Sequence, residues 1–212
     1  MKIIGVCGQP ASGKDTVADF FVSTGFVHIS LGDLLREEMR KQGLPMDRAH
    51  MSVFAAAAKK SRGMAYLAEL AAGKVSDKAI ISGIRGTAEV DYFRQRFGPD
   101  FILLVVNAPL ETRYARARKR NRTGDDISFE EFRRIEDHER SAVSGAQEVD
   151  KVIVLADLTV DNGGSMEVLV AQLERLAIDG DGSQRPADID DGKLTPLEKR
   201  MARGRGRTGL GG

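Results

Sequence analysis

Residues 8–16, Gly8-Gln9-Pro10-Ala11-Ser12-Gly13-Lys14-Asp15-Thr16, have the spacing of a phosphate-holding loop, G-x-x-x-x-G-K-[ST], with Asp15 where a hydroxyl is expected. Bound phosphate needs several backbone N–H groups converging on it, and a Gly-rich turn at a helix N-terminus supplies them. Gly8 and Gly13 permit the turn. Lys14 is then within reach of β- and γ-phosphates, and a following hydroxyl would hold Mg²⁺. The plain alternative is a strand–turn–helix connection. The apolar run before the loop and the helical periodicity after it favour the phosphate site.

Four further constellations carry possible chemistry. In "HISLGDLLR" (28–36), Leu31, Leu34 and Leu35 belong to a core-facing stripe, which leaves Asp33 and Arg36 together on the other side. By spacing alone this is a solvated ion pair of little energetic weight; the functional alternative is an arginine aimed at phosphate, with an acid ordering metal-bound water. In "IISGIRG" (80–86), Ser82 ends an apolar run where a Mg²⁺-shell acid is expected, and Arg85 is either a phosphate ligand or a surface arginine. In 111–126, Arg113, Arg116 and Arg120 share one helix face, and Arg122 follows in a loop. Arginines stabilise the charge spread over a transferring phosphoryl group, and a mobile lid would bring them in and exclude water. The alternatives are a solvated basic face or an RNA-binding helix; no aromatic residues are interleaved for base stacking, which ranks RNA below the lid. "DNGGS" (161–165) is either a nucleotide-base contact or an ordinary Gly-rich turn. His28, His50 and His138 share no metal spacing and read as structural, and Cys7 as an inert core thiol.

These residues need elements to position them. Short apolar runs at 2–7, 26–30, 78–84 and 101–107, and a last strand supplied by 151–162, alternate with helical patterns. The helices are expected after Gly13, over 31–42, in one or two pieces across 51–72 around Gly63, over 87–97, after Pro109, from Ser128 with its capping-box partner Glu131, and after 164. Continuous apolar strands alternating with helices predict an α/β fold: a parallel five-stranded sheet with helices on both faces, three layers in all. Ligands of such sheets sit outside the C-terminal strand ends, and that is where the constellations fall.

The chain has 212 residues, 42% hydrophobic and 30% charged, with a net charge of +1. This fits an ordinary globular domain and gives no global field toward nucleic acid or membrane. One cysteine excludes a disulfide framework, and no apolar run reaches membrane length, so the cytoplasm is the expected location. Residues 1–178 carry the folded composition. The tail, 179–212, is polar and expected to be disordered, with a basic end that either binds RNA or is merely solvated.

"GQPASGKDT", "HISLGDLLR", "SGIRG" and the arginine-rich lid together resemble the adenylate-kinase-like nucleoside monophosphate kinases. "SGIRGTAEVDYFRQRFGPDFILLVVNAP" and "ADLTVDNGGSMEV" are closer to a largely uncharacterised branch found mainly in archaea, which also resembles dephospho-CoA kinase. The resemblance implies a P-loop NTPase fold with acceptor-binding helices over about 31–76 and a helical lid over about 111–140. It implies ATP phosphates on Gly8 to Thr16 with Lys14; an acceptor phosphate on Arg36 and Arg85; Asp33 in the water shell of Mg²⁺; lid contacts from Arg116, Arg120 and Arg122; and Asn162 with Gly163 beside the adenine. The partners implied are ATP, Mg²⁺ and a small phosphorylated acceptor, bound by a monomer or homodimer. Three positions depart from the pattern: Asp15 for the hydroxyl, Ser82 for the strand-end acid, and Leu31 for the threonine that adenylate kinases hold beside the AMP base. An acid lost at 82 and one gained at 15 would leave the acid count at the metal unchanged, with Asp15 the expected metal contact. The rivals are a dephospho-CoA kinase-like enzyme and a nucleotide-binding regulatory module with little turnover; a GTPase is disfavoured because N-K-x-D is absent.

Overall fold

The computed structural model of the protein describes residues 3–120, 127–141 and 148–180. Strands β1 (Ile3–Cys7), β2 (Val27–Ser30), β3 (Ala79–Ser82), β4 (Phe101–Asn107) and β5 (Leu158–Asp161) form one sheet in the order β2-β3-β1-β4-β5. Every pairing is parallel, as the continuous apolar runs predict. The central strand β1 places Ile4 beside Ile80 and Ile102, and Val6 beside Ser82 and Leu104.

Strand alternation divides the core into two. On one face Ile4, Val6, Ile80, Leu104, Val106 and Val160 pack against Val17, Ala18 and Phe21 of α1 (Lys14–Ser23) and Leu169 and Leu173 of α9 (Met166–Gly180). On the other, Ile3, Cys7, Ala79, Ile81, Leu103 and Val105 meet α2 (Leu31–Lys41), α4 (Tyr66–Ala72) and α5 (Thr87–Phe97). The α2 stripe is the expected one: Leu31, Leu34, Leu35 and Met39 are all buried. The segment around Gly63 is two helices, α3 (Arg48–Arg62) and α4, because Gly63 adopts φ +104° and closes α3. Helices α6 (Leu110–Arg120) and α7 (Phe129–Ser141) cover the expected lid, and Ser128 Oγ accepts the Glu131 N–H as the capping signature predicts.

One expectation fails. The run 151–162 is not a single strand: its first part belongs to helix α8 (Val149–Val154), and β5 begins at Leu158. A short apolar run does not distinguish a strand from a buried helical turn. Here Val152 enters the core while Val154 is fully outside. The break falls at Asp157, whose backbone N–H donates to Leu103 O and whose side chain accepts the Leu103 N–H. The expected 121–126 loop and the tail beyond Gly180 lie outside the described residues.

Candidate functional site

Because β1 is central, the loop after it emerges in the middle of the sheet's C-terminal edge. Gly8 takes φ +139° and Gly13, the N-cap of α1, φ +96°. A side chain is excluded at both by space as well as conformation: a Cβ would lie 2.4 Å from Val106 O at Gly8 and 2.0 Å from Asn162 Nδ2 at Gly13. Ala11 also has positive φ, alone among the described non-glycine residues, so the loop stores strain. Pro10 and Ala11 are half-buried; Ser12 is buried, and its Oγ meets no hydrogen-bond partner among the described residues.

Lys14 Nζ donates to Gly8 O and Gln9 O, each at 2.9 Å. Its ammonium therefore lies across the loop. Burial, and next the positive charge of Arg85, pull its pKa down to about 8. That coupling brings Arg85, itself exposed after β3, into the electrostatic neighbourhood of the loop. Burial pushes the neighbouring Cys7 thiol up to about 12, which keeps it neutral and inert.

Two distant elements brace the loop. Asn162, following β5, donates from Nδ2 to Ser12 O at 2.8 Å. Arg116 of α6 donates to the same carbonyl at 3.4 Å and to Asn162 Oδ1 at 3.3 Å. Gln9 Nε2 donates to Asp150 Oδ1 of α8 at 2.6 Å. The buried side chain of Asn162, which the family resemblance sets beside the adenine, holds the loop backbone. Gly163 sits against Pro109, where a Cβ would be 2.7 Å from the ring. Asp150 was not singled out, because nothing in its local sequence ties it to a loop 141 residues away.

The arginines of α6 have separate fates. Arg113 is buried and forms a bidentate pair with Glu136 of α7, while its Nε donates to Ala108 O. It fastens α7 to α6. Arg116 reaches the loop, and Arg120 is exposed at the end of α6. Arg122 lies outside the described residues, as does the side chain of His138.

On the other side of the loop, Arg36 Nη1 donates to Asp33 Oδ1 at 2.6 Å, and both side chains are exposed. Ser30 Oγ accepts the Asp33 N–H and caps α2. Ser82 is buried on the α1 face of the sheet, and its Oγ lies 2.8 Å from His28 Nε2. The histidine set aside as structural is thus the partner of the residue standing in for the expected acid. Asp15 is exposed and Thr16 half-buried in the first turn of α1. No three His, Cys, Asp or Glu side chains among the described residues form a metal cage. Asp15 and Asp33 present exposed carboxylates, and Mg²⁺ usually takes one or two carboxylates plus substrate phosphates and water. No described helix is long and apolar enough to cross a membrane.

Residues 7–133 match the AAA domain family. A UPF0200 protein of Methanosarcina barkeri is 33% identical over 172 residues, covering 79% of this chain and 90% of that relative. A UPF0200 protein of Thermococcus kodakarensis is 32% identical, covering 82% and 95%. The UPF0200/UPF0201 protein of Archaeoglobus fulgidus is 33% identical over 84% of this chain, which spans only 55% of that longer relative. Among solved structures, a Thermus thermophilus protein aligns with TM-score 0.57 at 20% identity, covering 84% of this chain and 96% of its own. Shikimate kinase from Acinetobacter baumannii, in complex with shikimate, aligns with TM-score 0.54 at 14% identity, covering 88% and 96%. These structural likenesses bear on the fold, which is the P-loop kinase-like α/β fold. The chain belongs to the UPF0200 family, its AAA domain match running from the end of β1 into α7.

Proposed function

We propose that this protein transfers a phosphoryl group from ATP to a small phosphorylated acceptor, a nucleoside monophosphate in the first instance. The observation that carries the reading is the loop itself: two conformationally required glycines, Lys14 across its mouth, and backbone braces from Asn162 and Arg116. Such a loop presents helix N-terminal amides to an anion, which is what a triphosphate needs. Lys14 would turn from the loop carbonyls to the phosphates. Arg116 and Arg120, with Arg122, would bear on the donor phosphates from the lid, while Arg85 and Arg36 would hold the acceptor phosphate. Asp15, and Asp33 through water, would hold Mg²⁺, which supplies charge neutralisation on the phosphoryl oxygens when bound. Asn162 and Gly163, following β5, would border the base. Catalysis would consist of aligning donor and acceptor and neutralising charge, with no covalent intermediate on the protein.

A second reading has its own observation. Ser82 offers a hydroxyl already engaged by His28, where a carboxylate would serve turnover better. A nucleotide-binding module with little turnover would tolerate that. Coupled ADP release, with purified full-length protein, ATP, Mg²⁺ and a panel of nucleoside monophosphates plus dephospho-CoA, separates the two. Turnover lost in Lys14→Ala supports the kinase. Tight ATP binding with no turnover across the panel supports the module.

A further inference from the structure

Helix α3 carries a lysine that the reading above leaves unused. The Lys59 side chain is only 10% exposed and approaches Glu89 of α5, itself 2% exposed, at 3.6 Å. That is longer than a charge-assisted hydrogen bond, which closes to about 2.7–2.9 Å. Among the described residues the Lys59 ammonium meets no acceptor within hydrogen-bonding distance. The other oxygen of Glu89 fixes the carboxylate's orientation: Oε2 accepts the Arg85 N–H at 2.8 Å and the Gly86 N–H at 3.1 Å, while Oε1 faces Lys59. A structural ion pair in so buried a place would be expected to close. This one is held open, with three strong donors on a nearly buried cation.

The location gives the donors a purpose. A Cβ at Gly86 would lie 3.5 Å from Lys59 Nζ, so the ammonium stands over the loop that carries Arg85. At the start of the same loop, a Cβ at Gly83 would lie 3.5 Å from Gly32 N, and one at Gly32 would lie 3.5 Å from Arg36 Nη1. Arg36, Arg85 and Lys59 therefore flank one four-residue loop, 83–86, from α2, from the loop itself and from α3. Thr87, next along, has its N–H and hydroxyl taken by Glu148, so the N-terminus of α5 is already supplied with protein carboxylates. The unfilled demand for an anion lies with the Lys59 ammonium.

We propose that Lys59, steadied by Glu89, is an acceptor-binding residue whose ammonium takes an oxygen of a phosphate monoester dianion beside Arg85. This rests on the kinase reading above and adds to it a binding residue from α3 for the acceptor phosphate. The segment 44–76 offered no sequence signature for this, since the partner, Glu89, stands on another helix.

The test uses full-length protein with ¹³C-labelled lysine side chains, saturated with ADP so that the phosphate loop is filled, and inorganic phosphate as probe. The signal missing in Lys59→Met should shift saturably with phosphate in the wild type. Phosphate affinity should fall about ten- to a hundredfold in Lys59→Met, the range of a hydrogen bond to a charged group, with ADP affinity unchanged. Lys59→Arg, which keeps the charge, should retain most of the phosphate affinity and guards against a variant that merely folds poorly. An unmoved Lys59 signal, or unchanged phosphate affinity in folded Lys59→Met, overturns the proposal. An equal response to acetate at the same ionic strength overturns the assignment to phosphate. Failure of ADP to bind, or its indifference to Lys14→Ala, counts against the kinase reading instead.

Discussion

Nucleotide binding should draw a proton into the protein, and Lys14 sets how much. In the free protein its ammonium is half-buried, beside Arg85, with a pKa displaced from 10.5 to about 8. A polyphosphate arriving at the loop restores the missing negative charge, so the bound lysine is fully protonated. Uptake on binding ADP should be about half a proton at pH 8, about a tenth at pH 7 and about nine tenths at pH 9. The nucleotide contributes little at these values, its phosphate having ionised near pH 6. Cys7 contributes nothing, because it stays protonated until about 12. Titration calorimetry in Tris and in a buffer of low ionisation enthalpy reads the uptake directly from the difference in apparent heat. Lys14→Arg, charged at every accessible pH, should still bind but without the uptake. Heats that do not depend on the buffer at pH 8, or an uptake that survives Lys14→Arg, would refute the reasoning. The sign in the free protein follows from the same displacement. The unfolded chain keeps the proton up to 10.5 while the folded one loses it near 8. Stability should therefore rise between those two values, by at most about 3 kcal/mol.

Three other outcomes follow. Gly13→Ala forces a side chain into left-handed backbone, costing about 1–2 kcal/mol, and drives its Cβ into Asn162 Nδ2; ADP affinity should collapse while the far-ultraviolet spectrum stays folded. Glu136→Gln removes the carboxylate charge facing the buried Arg113 and should lower stability by about 3–5 kcal/mol in denaturant titration, most of it recovered when Arg113→Met is added. The Glu38 carboxyl is held down to about 2, first by its hydrogen bond from Lys41 and next by Tyr66, in a cluster joining α2, α3 and α4. Its contribution should be intact at neutral pH and disappear as pH falls from 4.5 toward 2, so Glu38→Gln should flatten that acid limb of the melting-temperature curve.

The strands and the loop were legible because their signals are local. Five apolar residues before Gly8 and the spacing Val17–Phe21 after it define the β1–loop–α1 unit without knowledge of the rest of the chain. The α2 stripe and the Ser128 cap were readable for the same reason. What failed was non-local. Arg113 and Arg116 differ by three positions on one helix face, yet one turns to Glu136 and the other to Ser12 O. Periodicity gives a face and not the partner opposite it. The α8 segment misled because Val152, Ile153 and Leu155 are apolar for helix packing, and apolarity alone carries no period over so few residues. His28 was invisible as a site neighbour because β2 and β3 are adjacent only in the sheet, where Ser30 lies beside Ser82.

The loop's hydrogen bonds also explain why a stretch with an unusual residue at position 15 keeps its shape. A turn that aims amides inward must aim carbonyls outward, and each outward carbonyl needs a donor. Gly8 O and Gln9 O take Lys14 Nζ, and Gln9 O also takes the Ser12 N–H. Ser12 O takes Asn162 and Arg116. Gly13 O begins the α1 ladder by accepting the Val17 N–H. None of these bonds uses the side chain of residue 15, which is exposed. The first amides of α1 have no intrahelical acceptor and remain for an anion. The conformational cost of gathering them is met by contacts from β5, α6 and the lysine, before any ligand arrives. Residue 15 is consequently free to vary in chemistry as long as Gly13 keeps its backbone, and an acid there leaves the cradle unaltered.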